Sequence, residues 1–260
     1  MQLELGGKTA LITGASQGIG EGIAKAFADE GVNLHLTARN IDNLERIKSE
    51  IEGISDVTVM LHPLDITQSG GCAELAEQVG DVDILVNNAG AIPSGNLFDI
   101  DEAAWRQGWE LKVMGYINMC RLFYAKMKSK SEGVIINNIG NGGEVFDPEY
   151  IAGTTGNASL MAFTRALGGS SLKDGIRVMG VNPGPVKTER IITMLKKRAL
   201  SLLGEESRYM ELVESFPMGR PAHVDEVTSL IVFLASSRAG YSTGSIYTVD
   251  GGISSRRSIG

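Results

Sequence analysis

Three glycines near the amino terminus have the spacing of a loop that binds phosphate groups. Gly14, Gly18 and Gly20 follow a predicted strand and begin a predicted helix. Glycine permits a tight turn and lets backbone amides approach a pyrophosphate closely, and the start of a helix adds N–H donors and a positive dipole. The predicted phosphate site of a dinucleotide comprises Gly14, Ser16, Gln17, Gly18, Ile19 and Gly20.

Strands and helices alternate along the chain. Apolar runs rich in β-branched residues predict strands at 8–13, 33–38, 57–61, 83–87, 134–139, 177–181 and 245–249. Helical periodicity predicts helices at 19–30, 41–53, 68–79, 102–130, 150–172 and 223–236. Because the strand runs are continuously apolar, we expect both of their faces to be buried, as in a parallel sheet covered by helices. The predicted fold class is α/β, a doubly wound, parallel seven-stranded sheet with helices on both faces.

The composition favours a globular protein that contacts neither a membrane nor nucleic acid. Of the 260 residues 43% are hydrophobic, and the formal net charge of −7 disfavours nucleic acid and anionic lipid. No apolar run approaches the roughly 20 residues that span a bilayer. The first residues lack the basic region of a signal peptide, so we expect a cytoplasmic location. Cys72 and Cys120 have no metal-ligand spacing and predict neither a disulfide nor a bound metal.

One segment departs from the alternation of strands and helices. Residues 187–218 have helical periodicity and mixed charge, and they follow a strand at the carboxyl edge of the predicted sheet, where substrates bind in such folds. We predict a single domain over 1–260, within which 187–218 forms a lid over the substrate. Apolar lid residues suggest a substrate with hydrophobic bulk, although packing of the lid itself is an alternative explanation. These residues include Ile191, Ile192, Met194 and Leu195.

Four further motifs follow the glycine loop in order. They are Asp65-Ile66, Asn87-Asn88-Ala89-Gly90, Asn182-Pro183-Gly184 with Thr188, and Asp250-Gly251-Gly252. Together with the TGxxxGxG spacing of the loop, they resemble the short-chain dehydrogenase/reductase superfamily over nearly the whole chain. The resemblance implies a Rossmann-type fold and hydride transfer between a nicotinamide cofactor and a carbonyl or secondary alcohol.

The same resemblance implies roles for residues that bind the cofactor. Asp65 and Ile66 would hold the adenine. The adenosine ribose and the nicotinamide end would lie farther along the same edge of the sheet. The implied residues are Asn88, Ala89 and Gly90 for the ribose, and Pro183, Gly184, Val186 and Thr188 for the nicotinamide end.

The end of the second strand bears on the choice between the two nicotinamide cofactors. An acidic residue there would favour NAD(H) by accepting hydrogen bonds from the ribose 2′-OH. The strand is instead followed by Arg39, whose guanidinium suits a 2′-phosphate. Gln17 occupies a loop position that often carries a second cation in members that prefer NADP(H). We predict NADP(H) as the preferred cofactor, with NAD(H) as the alternative.

The resemblance also implies a catalytic tyrosine with a lysine four residues later, which lowers the pKa of the phenol. Tyr150 matches the tyrosine because it follows the fifth strand and begins a helix, but Thr154 stands in the lysine position. Lys112, on the predicted helix 102–130, stands where the superfamily has an asparagine. We predict that Lys112 replaces the missing lysine, contacts the nicotinamide ribose and favours ionisation of Tyr150. The alternative is a lysine on an exposed helix edge.

A serine that polarises the substrate carbonyl is also missing. Its position falls on Gly140 or Asn141, and Asn141 could donate its amide N–H to a carbonyl oxygen. The predicted catalytic residues are therefore Tyr150, Lys112 and Asn141.

Two functions fit this sequence. The first is an NAD(P)-dependent oxidoreductase that acts on a small carbonyl or alcohol substrate. By resemblance, it would assemble as a homodimer or homotetramer through the helices predicted at 102–130 and 150–172. The second is a catalytically silent nucleotide-binding protein that serves as a redox sensor or an assembly subunit.

Overall fold

A computed structural model of the protein describes residues 2–256. Seven strands form one parallel sheet in the order β3-β2-β1-β4-β5-β6-β7, as predicted. The order reverses between β1 and β4, which leaves a crevice at the carboxyl ends of these strands, where ligands bind in open α/β sheets. The strands are β1 Thr9–Thr13, β2 Asn33–Ala38, β3 Val59–Pro63, β4 Ile84–Asn87, β5 Gly133–Asn138, β6 Ile176–Pro183 and β7 Ile246–Val249.

Helices connect the strands and cover both faces of the sheet. They are α1 Gly18–Asp29, α2 Ile41–Glu52, α3 Gly71–Val79, α4 Glu102–Trp109, α5 Gly115–Lys130, α6 Ile151–Ser171, α7 Glu189–Leu203, α8 Tyr209–Val213 and α9 Val224–Ala235. Helices α7 and α8 lie in the segment 187–218. None of the helices within residues 2–256 combines the length and the apolar character that crossing a membrane requires.

Three predicted elements differ from the structure. Strand β3 covers 59–63 rather than 57–61, because its pairing with β2 begins at Val59. Helix α3 begins at 71 rather than 68, since a turn ends at Gly70, whose φ of +81° lies in the left-handed region. The predicted helix 102–130 is interrupted by a π-helical turn, Glu110–Met114, which joins α4 to α5.

The core has one large apolar cluster on each face of the sheet. Phe27 of α1 and Ile231 of α9 belong to one cluster, and Phe123 of α5 belongs to the other. Buried Arg177 of β6 fixes the end of α9 by donating hydrogen bonds of 2.7–3.1 Å to four carbonyl groups in residues 234–239. A cation at this end of a helix satisfies carbonyls that have no partner within the helix.

Candidate active site

Asparagine side chains join the carboxyl ends of β1, β4 and β5. The Asn88 amide donates to the carbonyls of Thr13 and Gly14 at 3.0 and 3.1 Å, and the Asn138 amide donates to Asn88 Oδ1 at 2.8 Å. The Thr13 hydroxyl accepts from the backbone N–H groups of Asn88 and Ala89. These bonds hold the glycine loop against the middle of the sheet.

The glycine loop has the shape of a phosphate cradle. Gly14 and Gly18 have φ values of +65° and +58°. At Gly20 a Cβ would overlap the Gly14 carbonyl oxygen and lie 2.6 Å from the Asn88 amide nitrogen, and at Gly14 it would lie 2.7 Å from Ala89 Cα. Side chains would therefore fill this space, and the start of α1 turns its N–H groups toward it. The loop fits a dinucleotide pyrophosphate.

The predicted adenine end lies at the ends of β2 and β3. Asp65 accepts hydrogen bonds from the backbone N–H and hydroxyl of Thr67 at 3.0 and 2.7 Å, and Ile66 is buried. Burial alone would raise the pKa of Asp65, but these hydrogen bonds and the positive charge of Arg39 outweigh it and lower the pKa. Arg39 is exposed, so its guanidinium is accessible to a ligand.

The predicted nicotinamide end follows β6. Val186 is buried, and its backbone forms a bridge with Ala222. Thr188 is the N-cap of α7, and its methyl group lies 3.2 Å from the Cβ position of Gly18. Gly184 permits close contact with Asp250, because a Cβ there would lie 2.7 Å from Asp250 Cβ. Pro183 ends β6 at the same edge of the sheet.

Lys112 lies in the π-helical turn and points into the protein. Its stem packs over Gly90, where a Cβ would lie 2.8 Å from Lys112 Cδ, and its amine donates a 2.5 Å hydrogen bond to the Ile139 carbonyl. The amine also lies 5.9 Å from the ring centroid of Tyr116. Lys112 is therefore not a lysine on an exposed helix edge. Turns of this kind are frequent at functional sites.

Burial changes the acidity of this amine. Desolvation is the main cause that lowers the pKa of Lys112 to about 7, and the positive charge of Arg190 lowers it further. A buried ammonium loses hydration that one carbonyl partner does not replace. The amine therefore gains and loses a proton near neutral pH, as a general acid or base requires.

Tyr150 is the N-cap of α6, and its ring folds back over the first turn of that helix. A Cβ at Gly153 would overlap the phenol ring, and a Cβ at Gly142 would lie 3.3 Å from it. Electrostatic interaction with Tyr150 is a minor cause of the raised pKa of Tyr116, after burial and the effect of Cys120. Tyr150 and Lys112 thus contact the same loop after β5, one at residue 142 and the other at residue 139.

Asn141 has a different arrangement from the one that the sequence suggests. Its amide donates to Asp250 Oδ2 at 3.2 Å. Asp250 also accepts from the backbone N–H groups of Gly252 and Ser254, each at 2.8 Å. The amide N–H predicted to meet a substrate carbonyl thus has a protein acceptor, while neighbouring Gly140 presents only its backbone.

Two further residues at this site were missed by sequence reasoning. Asn157 of α6 is buried, with its amide nitrogen 3.2 Å from the Cβ positions of both Gly140 and Gly142. Its Oδ1 has no hydrogen-bond partner among the described residues. Arg190 of α7 donates a 3.0 Å hydrogen bond to the Ile92 carbonyl. The only sequence signal for Asn157 was a polar residue in a helix of small and apolar residues, and nothing marked Arg190 among the lid cations.

The fold and the glycine loop define a dinucleotide-binding protein of the doubly wound α/β class. Residues 14–254 match the family model described as Enoyl-(Acyl carrier protein) reductase. The chain is 34% identical over 253 residues to Oxidoreductase UcpA of Salmonella typhimurium, a match that covers 96% of this chain and 95% of that protein. It is 32% identical over 250 residues to galactitol 2-dehydrogenase (L-tagatose-forming) of Cereibacter sphaeroides, with 95% of each chain covered.

A solved structure gives the same result. The crystal structure of L-sorbose reductase from Gluconobacter frateurii, complexed with NADPH and L-sorbose, matches with a TM-score of 0.91 and 33% identity, and covers 99% of this chain and 100% of that chain. The chain belongs to the short-chain dehydrogenase/reductase superfamily, whose matched members here are oxidoreductases of carbonyl and alcohol compounds.

Proposed function

We propose that this protein interconverts a carbonyl compound and a secondary alcohol with NADP(H) as the preferred cofactor. Membership of the superfamily and the fit of the glycine loop to a pyrophosphate support the reaction class. An exposed Arg39 at the end of β2, with no acidic residue in its place, supports NADP(H) over NAD(H). When bound, the cofactor would supply or accept the hydride.

The predicted cofactor residues would hold the cofactor along the carboxyl edge of the sheet. The glycine loop and the start of α1 would bind the pyrophosphate, and Asp65 with Ile66 would bind the adenine. The segment from Pro183 to Thr188 would hold the nicotinamide end, because Thr188 already contacts the loop at Gly18.

Lys112 and Tyr150 would move the proton. In reduction the protonated partner donates to the oxygen of the forming alcohol, and in oxidation the neutral or ionised partner accepts the proton. An amine that titrates near neutrality suits this role. In its charged form, it would also favour ionisation of a nearby phenol. The single observation that carries the proposal is the buried amine of Lys112 at Ile139, on the loop that Tyr150 also contacts.

Binding and turnover test the proposal separately. NADPH and NADH are titrated into the purified protein, and oxidation of bound NADPH is followed on a panel of ketones and aldehydes. We expect NADPH to bind more tightly than NADH and at least one carbonyl compound to be reduced. Turnover that is unchanged in Lys112→Met would remove the role of the amine.

A catalytically silent nucleotide-binding protein is the second candidate. The engagement of the Asn141 amide by Asp250, together with a threonine in the usual lysine position, favours it. Tight NADPH binding without turnover on the whole panel would support this candidate, and measurable turnover would exclude it.

The lid, oligomer and location are part of the same proposal. Arg198 of α7 pairs with Asp147 at 3.3 Å, close to Tyr150, which supports a covering role for 187–218. Met114 is 41% exposed beside an open apolar groove with Trp105, which supports helix pairing in a homodimer or homotetramer. The two free, buried cysteines support a cytoplasmic location.

A further inference from the structure

We infer that the substrate carries an anionic group, such as a carboxylate, which binds between Arg190 of α7 and Lys112 of the π-helical turn. This inference rests on the proposed oxidoreductase function, and it names the chemical class of the substrate. The two cations enter the site from different elements and meet at one short stretch of backbone, residues 90–92.

Lys112 forms the inner side of this subsite. Its stem covers Gly90, and no larger residue could occupy that position without displacing it. The amine reaches a single neutral acceptor, the Ile139 carbonyl. A carbonyl oxygen satisfies one of the three ammonium donors, so the remaining donors are available to a ligand.

Arg190 forms the outer side. One guanidinium nitrogen donates to the carbonyl of Ile92, two residues beyond the glycine that Lys112 covers. Ile92 is itself buried against Ala152 and Trp109 under the start of α6, so this anchor is fixed. Arg190 is solvent-accessible. Its other guanidinium donors can therefore bind a planar carboxylate.

The charge balance at this point favours an anion. Within residues 2–256, neither Lys112 nor Arg190 forms an ion pair with an acidic side chain, although the protein has a net charge of −7. Arg198, two turns farther along α7, is paired with Asp147. Two cations without an acid, one of them buried, gain most from an anionic ligand.

The position of Arg190 favours the substrate over the phosphates of the cofactor. Thr188, two residues earlier, faces the glycine loop at Gly18. Arg190 reaches instead to the loop after β4, on the side of Lys112 and the catalytic loop. An anion held there would lie on the substrate side of the site.

Matched pairs of ligands test this inference by binding rather than by turnover. The 2-, 4- and 5-oxohexanoates and their methyl esters are titrated by calorimetry into the protein, with and without NADPH. The variants are Arg190→Gln, Arg190→Lys and the control Lys197→Gln, which removes one positive charge from an exposed position on the same helix. The separate titration of NADPH reports on the proposed function.

We expect at least one oxocarboxylate to bind ten or more times more tightly than its ester. Arg190→Gln should remove this preference, Arg190→Lys should keep part of it, and Lys197→Gln should keep all of it. Esters and carboxylates that bind alike, or an equal loss in the Arg190→Gln and Lys197→Gln variants, would overturn the inference. So would an Arg190→Gln variant that loses NADPH affinity and keeps the preference, because Arg190 would then serve the cofactor phosphates.

Discussion

The phosphate loop and the proton-transfer region lie at the same edge of the sheet but are built in different ways. The loop is defined by side chains that are missing, since Gly14 and Gly20 leave room that any Cβ would fill. The proton-transfer region is defined by side chains that arrive from separate elements, with Lys112 from the π-helical turn and Tyr150 from the start of α6.

This difference decides how substitutions act. Changes in the loop act through steric overlap with backbone, which cannot move aside without disturbing β1 and β4. Changes in the proton-transfer region act through charge and orientation, so they should affect turnover more than cofactor binding. The predictions below separate the two regions.

The largest expected effect is on Lys112. In Lys112→Met, we expect kcat/KM to fall by about 10³-fold, because a positioned acid or base contributes roughly 10²- to 10⁴-fold. NADPH affinity should change by only a few fold. Steady-state kinetics and an NADPH titration measure the two quantities, with Lys126→Met on α5 as the control for loss of a lysine. Equal losses in both variants would contradict the assignment.

Gly20→Ala should damage the other region. The added Cβ meets a backbone carbonyl at Gly14, which is held by the Asn88 amide. Overpacking against fixed atoms costs roughly 1–3 kcal/mol, so NADPH affinity should fall by up to about 100-fold. Gly169→Ala on α6 is the control, because its Cβ would meet nothing within 4 Å. The loop assignment fails if Gly20→Ala binds NADPH as tightly as the control.

Gly153→Ala tests the position of Tyr150. The new methyl group would overlap the phenol ring, which can swing away more easily than a backbone carbonyl. We expect turnover to fall about tenfold, toward the lower end of overpacking costs, with NADPH binding unchanged. Gly169→Ala again serves as the control on the same helix. Full activity in Gly153→Ala would argue that the ring position has no part in proton transfer.

The buried amine should also make stability depend on pH. The pKa of Lys112 is about 7 in the folded protein and near 10.5 in a free side chain. Between these values the unfolded chain binds more protons, so stability should rise with pH, by at most about 1.4 kcal/mol per pH unit. Urea unfolding at pH 7, 8 and 9 measures this slope. Lys112→Met should lower the slope, and identical slopes would show that the amine stays hydrated.

The smallest expected effect is on Arg39. In Arg39→Gln, the ratio of NADPH to NADH affinity should fall by roughly fivefold, because an exposed guanidinium gives only part of the 1.5–3 kcal/mol of a hydrogen bond to a charged group. Titration of both cofactors measures the ratio. An unchanged ratio would place the recognition of the 2′-phosphate elsewhere.

The phosphate loop and the sheet could be predicted from the sequence because both depend on local patterns. Glycine spacing and continuous apolar strands correctly indicated the parallel sheet and the family. The break at 110–114 could not be predicted, since Glu110, Leu111 and Met114 suit an ordinary helix. Nor could the pairing of Asn141 with Asp250, or of Arg190 with Ile92, because each joins residues about 100 positions apart.

The irregular turn at 110–114 has a consequence for how this chain can vary. Removing a single residue, such as Val113, would let α4 and α5 merge into one regular helix. Because each residue of an α-helix turns the chain by about 100°, everything before the deletion would rotate by that angle relative to the sheet. Lys112 would then swing away from Ile139, so the length of this short stretch, as much as its composition, keeps the amine in reach of its partners.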